Sequence, residues 1–129
     1  SPDAPTGRRT LVDDTGGGRL VPDVEGMTLT YGPDGGGLLL VSSQGDDSFT
    51  AYRRSGANGF VGRFRVGDAG EGGVDGCEDT DGIDAVATRL GPAFPTGLFV
   101  CQDGDNGDER QNFKLVGLGA VTGLLGAIP

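Results

Sequence analysis

Apolar residues recur at every second position in short runs, and Gly, Pro, Asp and Asn break the runs apart. A period of two marks a half-buried strand, and such punctuation marks turns. The pattern predicts strands over residues 9–13, 27–31, 38–44, 48–54, 60–66, 83–90, 98–102 and 113–116. Ser55-Gly56-Ala57-Asn58-Gly59 predicts a hairpin loop, because Asn-Gly favours positive φ. In residues 60–66, Phe60, Val61, Phe64 and Val66 interleave with Arg63 and Arg65, which predicts an outer strand with one packed face. Residues 117–129 show little pattern and read as an irregular tail with a helical turn around 121–125.

The pattern also repeats. Asp23-Val24-Glu25-Gly26 returns 56 residues later as Asp79-Thr80-Asp81-Gly82. Each acidic turn runs into a short strand and then a Gly-Pro turn, Gly32-Pro33 or Gly91-Pro92. An apolar strand follows in each repeat, ending in Gln44 or Gln102, and then an acidic loop, Gly45-Asp46-Asp47 or Asp103-Gly104-Asp105. A strand-built period near 50 residues is the signature of propeller blades or a β-solenoid. Acidic pairs at matching points would gather carboxylates on one face, as a cation site requires. Residues 27–66 hold four predicted strands, one whole blade; residues 83–116 hold three, and residues 9–13 stand alone. The expected fold is all-β: a partial propeller with about one full four-stranded antiparallel blade and parts of two neighbours. A propeller closes with four blades or more, so the chain reads as part of a larger ring. Sheet faces and strand edges would then lie uncovered.

Composition narrows the function. A chain of 129 residues, 35% hydrophobic and without Trp, makes one domain or a piece of one. The net charge of −9 argues against nucleic acid or an anionic membrane as a direct partner. Between Asp68 and Glu109 lie eleven acidic residues and a single basic one, Arg89. A solvated acidic surface is the simplest reading of such a run. Yet fifteen of the 19 acids are Asp, most of them in Gly-containing turns. Short carboxylates on tight turns suit Ca²⁺, which takes 6–8 oxygen ligands. The chain has no His, so no His-based metal site, general base or triad can be built from it. Its two cysteines make a poor zinc set. No signal peptide or membrane-spanning run is visible, and the missing initial Met fits a processed or excised segment.

For Asp23, Glu25 and Asp81, two readings stand on the residues alone: cation ligands, or turn residues that accept from backbone N–H groups. An EF-hand is excluded, since counting from Asp79 puts Ile83 at position five and Leu90 at position twelve, where oxygen ligands belong. Asp46 and Asp47 read as a polar hairpin tip. Arg8, Arg9, Arg53, Arg54, Arg63 and Arg65 read as a solvated face.

The strings LVPDVEG (20–26), LVSSQG (40–45), EDTDGID (78–84), GPAFPTGLFVCQ (91–102), DGDNGD (103–108) and QNFK (111–114) carry a resemblance. The chain resembles the β-propeller (alkaline, calcium-dependent) phytases, secreted enzymes that remove phosphates from myo-inositol hexakisphosphate. The resemblance implies the C-terminal blades of a six-bladed propeller. Residues 13–66 would be a strand and a complete blade, 67–116 an incomplete last blade, and 117–129 a tail. It further implies calcium ions in two roles. Asp23, Glu25 and Asp81 match active-site calcium ligands, while Asp75, Gly76, Asp105, Asn106 and Asp108 match a structural calcium site. Asp105 stands where the family commonly has Glu, one methylene longer. With both loops meeting at one calcium, Cys77 and Cys101 would form a disulfide, worth roughly 3–3.5 kcal/mol on the chain-entropy model. The implied partners are phytate as its calcium complex, or other inositol phosphates, and the remaining blades; the implied location is extracellular. The basic residues, Tyr and further Glu of the family's cleft have no counterpart here, so the chain alone is expected to be inactive. The alternative is a calcium-stabilised propeller module that binds or scaffolds without catalysis.

Overall fold

A computed structural model describes residue 7, residues 9–71 and residues 73–126. Seven of the eight expected strands form: β1 (Met27–Leu29), β2 (Leu38–Ser43), β3 (Ser48–Arg53), β4 (Phe60–Phe64), β5 (Ile83–Val86), β6 (Leu98–Asp103) and β7 (Asn112–Gly117). They make two antiparallel sheets, in the order β1-β2-β3-β4 and β5-β6-β7. The predicted 55–59 loop joins β3 to β4, with Asn58 at φ 52°. Opposite it the β3–β4 register shifts between Ala51 and Tyr52, a local irregularity of the bulge kind.

The sheets stack face to face. Leu38 and Leu40 of β2, Phe49 and Ala51 of β3 and Phe64 of β4 face the second sheet, where they meet Phe99 and Cys101 of β6. Phe99 sits edge-on to Phe49 at 5.1 Å and to Phe64 at 5.3 Å, an arrangement aromatic quadrupoles favour. The alternate residues of β2 serve the other face. Val41 packs with Leu20 and Tyr52 in a smaller cluster under the segment leading into β1. That segment is tied down by Tyr52 Oη, which donates to Asp13 at 2.7 Å, and by Thr50 Oγ1, which donates to the Arg19 carbonyl at 3.0 Å.

Two expectations need correction. Residues 9–13 have strand-like alternation but join no sheet, and Leu11 is 75% exposed. Alternation describes a strand's faces and does not supply the neighbour that a strand must pair with. The tail is more regular than its pattern suggested: a helix, α1 (Leu118–Leu124), replaces the single turn expected at 121–125. Leu118 and Val121, three apart and so on one face, are buried against the central core, and Leu118 N donates to the Gly97 carbonyl at 3.0 Å. Residues 1–6, 8, 72 and 127–129 lie outside the described residues, Arg8 among them.

Candidate functional site: paired acidic turns and an acid pocket

The inner strands β1 and β5 run side by side where the two sheets meet. Thr28 Oγ1 donates to Asp84 Oδ1 at 2.7 Å across the junction. Just upstream the backbones touch: a Cβ on Gly26 would lie 2.8 Å from Ile83 N, so only glycine fits. This contact brings the two acidic turns together. Asp23, Glu25 and Asp81 are all exposed. Gln44 reaches from the first repeat, and its Nε2 donates to Asp81 Oδ1 at 3.0 Å. Asp47 makes a second link, accepting from Asp79 N at 3.0 Å.

Inside each turn a β-strand side chain fixes the backbone. Ser42 Oγ accepts from Gly26 N at 2.7 Å and Glu25 N at 3.2 Å. Gln102 Oε1 accepts from Asp81 N at 2.8 Å. The strand registers explain the pairing: Met27 faces Val41, and Ile83 faces Cys101. Gln102 is therefore the counterpart of Ser42, not of Gln44 as the strings suggested. The loop after β2 carries its glutamine two positions later, which frees Gln44 to serve the neighbouring turn. Asp46 and Asp47, both placed at a hairpin tip, also divide. Asp46 accepts from Ser43 Oγ at 2.8 Å and Ser48 Oγ at 2.7 Å and pairs with Arg63. Burial pushes its pKa up, but these hydroxyls and the Arg63 charge prevail and hold it below the usual carboxylate range.

A second acidic group lies beside the disulfide of Cys77 and Cys101, whose Cα atoms are 6.6 Å apart. Asp68, Asp75, Gly76, Glu78, Asp103, Asp105 and Gly107 line a cavity of about 300 Å³. Asp75, Gly76 and Asp105 were expected to share one site, and they do line one cavity. Asn106 is tied to the group through Lys114, whereas Asp108 is exposed and is not part of the lining. Asp68, Glu78, Asp103 and Lys114 were not singled out from the sequence. Gly76 N donates to Asp68 Oδ1 at 2.9 Å, and Glu78 N to Asp103 Oδ1 at 3.0 Å.

Lys114 is the chain's single lysine and is 4% exposed. Its ammonium contacts Asp75 Oδ1, lies 3.0 Å from Asp103 Oδ2 and 3.3 Å from Asn106 Oδ1. Asp103, 1% exposed, receives no well-aligned hydrogen bond at Oδ2, so that oxygen is compensated by charge. Burial alone would lower the Lys114 pKa; the Asp75 and Asp103 carboxylates outweigh it and raise the pKa above the ordinary lysine value. Alternation along Asn112–Gly117 gave no hint of this. It puts Phe113 and Leu115 on one face and Lys114 on the other, and hydropathy alone would bury the aromatic face. The structure does the reverse, with Phe113 69% and Leu115 58% exposed.

The donor chemistry suits a hard cation, since both groups offer carboxylates and the chain has no imidazole or free thiol to compete. Convergence is incomplete: among the described residues, no three acidic or cysteine side chains come together as one metal-binding cluster.

A repeat-built all-β chain that brings its acidic turns to a sheet junction defines a class. The Phytase family profile matches residues 2–129, and the chain belongs to that family. It is 43% identical over 123 residues to a 3-phytase of Bacillus subtilis (strain 168), an alignment covering 92% of this chain and 32% of that protein. The chain thus spans about a third of the length of this relative.

Proposed function

We propose that the chain forms one wall of the active cleft of a calcium-dependent phytase, with its two sheets as adjacent blades of a propeller. The substrate class is phytate or another inositol phosphate presented with calcium, and the setting is extracellular. The observation that carries this reading is the meeting of the two acidic turns, bridged by Gln44 and Asp81, in a chain of the Phytase family.

Asp23, Glu25 and Asp81 are the residues that would hold calcium in the cleft. Bound there, Ca²⁺ would offset the carboxylate charge, receive phosphate oxygens and acidify a water. The chain's own part is positioning. Gln44 holds one oxygen of Asp81, leaving the other for a ligand. Ser42 and Gln102 fix the turn backbones from within each sheet. Asp75, Gly76, Asp105, Asn106 and Asp108 would serve a structural calcium in and beside the acid pocket. Lys114 already supplies part of the positive charge there.

Catalysis needs residues from the rest of a longer polypeptide, because this chain matches only 32% of the Bacillus enzyme. The isolated chain is expected to release no phosphate from calcium phytate above background. The decisive experiment grafts this chain in place of the matching segment of that enzyme. The expected outcome is phosphate release that survives the graft and falls at least tenfold when Asp81→Asn is added. Unchanged release in the Asp81→Asn graft would exclude the catalytic role and leave only a structural calcium module.

A further inference from the structure

Strand register puts Lys114 in the acid pocket. It faces Cys101 across the β6–β7 ladder, and Cys101 is bonded to Cys77, which directly follows Asp75 and Gly76. Asp103 lies two residues beyond Cys101 on β6 and so points to the same side of the sheet. The lysine therefore reaches carboxylates from both sides of the disulfide.

Its ammonium has three N–H donors and meets three oxygens. They are Asp75 Oδ1, Asp103 Oδ2 at 3.0 Å and Asn106 Oδ1 at 3.3 Å. All four groups belong to this chain. The carboxylates of the pocket, Asp68, Asp75, Glu78, Asp103 and Asp105, repel one another unless a cation neutralises them. Among the described residues, Lys114 makes both ion pairs that reach them. The acidic side chains do not gather into one cluster of their own; two of them gather on the ammonium instead.

Two of its three oxygens are wanted twice. Asp75 and Asn106 are also among the groups proposed for a structural calcium. Ca²⁺ holds oxygen at about 2.3–2.6 Å. Two cations seated on the same two oxygens would lie a few ångström apart, where like charges repel. Asp103 is different. It is not one of those calcium groups, is 1% exposed, and its Oδ1 already accepts from Glu78 N at 3.0 Å. Its Oδ2 can keep the ammonium whether or not calcium is bound.

Resting on the structural-calcium reading, we infer that Lys114 is a built-in competitor for that ion. Without calcium the ammonium bridges Asp75, Asp103 and Asn106 and holds the pocket together. With calcium it gives up Asp75 and Asn106 and stays on Asp103. The lysine thus sets the calcium concentration at which the site fills, and it keeps the calcium-free protein folded.

The test is urea unfolding of the full chain at graded calcium concentrations and in chelator. Lys114→Met is expected to be less stable in chelator and to bind calcium at least tenfold more tightly, read from the calcium dependence of the urea midpoint. Equal or weaker calcium binding in Lys114→Met overturns the inference. Asp105→Asn removes a pocket carboxylate outside the lysine's ion pairs. Should Asp105→Asn weaken calcium binding while Lys114→Met fails to tighten it, competition alone falls. Should neither substitution change it, the structural-calcium reading falls as well. A further measurement needs no variant. The chain has one lysine, so isotope labelling of lysine gives a single side-chain NMR signal. Calcium is expected to shift that signal as the ammonium leaves Asp75. A signal unmoved by saturating calcium overturns the inference, whether or not Lys114→Met folds.

Discussion

Gln44, which directly follows β2 in the first repeat, donates its side-chain amide to Asp81 of the second repeat at 3.0 Å. This bond and the Thr28–Asp84 bond are the two hydrogen bonds between side chains that, among the described residues, cross the line where β1 and β5 meet. Replacing Gln44 with Ala is expected to lower folding stability by about 1 kcal/mol, the usual worth of a partly exposed hydrogen bond. The sharper readout is local. Amide exchange at Asp81 and Gly82 should quicken while exchange in β3 stays unchanged; equal acceleration in both would show that Gln44 acts through the core instead.

Lys114 should be far more costly to lose. Lys114→Met leaves Asp103 buried without its counter-charge, and breaking a buried pair from one side costs about 3–5 kcal/mol. Adding Asp103→Leu should recover part of that loss. Urea midpoints of the single and double variants check the sign. A double variant weaker than the single one would locate the effect elsewhere in the pocket.

Acid should destabilise the protein through Asp13 and Asp46. Tyr52 lowers the Asp13 pKa first of all, by donating its hydroxyl, and hydroxyl donors and Arg63 lower that of Asp46 against its burial. A depressed folded pKa means stability that is present above the unfolded value, near 3.9, and lost as pH falls through the folded value. Asp46→Asn should therefore cost about 1–2 kcal/mol near neutrality and flatten the decline in stability below pH 4. Chemical denaturation at pH 7 and at pH 3 measures both; equal costs at the two pH values would refute it.

Reduction of the Cys77–Cys101 disulfide, which spans 24 positions, is expected to cost about 3–3.5 kcal/mol through the entropy of the unfolded chain. Because Cys101 belongs to the core between the sheets, the loss should appear as one cooperative transition at lower denaturant. A separate early transition, with the rest of the fold unmoved, would contradict this.

The sequence made the strands, the hairpin at 55–59 and the repeated acidic turns legible, because each rests on a local rule of alternation or turn chemistry. Residues 9–13 obey the same rule and form no strand, since pairing depends on a neighbour that local pattern cannot supply. The glutamines misled for a related reason. Gln44 and Gln102 end similar strings, but only strand register shows that Gln102 does the work of Ser42. Lys114 was invisible because its burial runs against hydropathy and is compensated by Asp75 and Asp103, which lie 39 and 11 positions away in the chain. The approach of Gly26 to Gly82 and Ile83 follows from two sheets meeting and has no signature in either turn alone.

The chain has one side-chain amine, and the fold hides it. Lysine-directed reagents that mark the surface of most proteins will find this one shielded until the acid pocket opens. Acylation of Lys114 is therefore a stopwatch for that opening, read by mass spectrometry on the unmodified protein with no label to introduce.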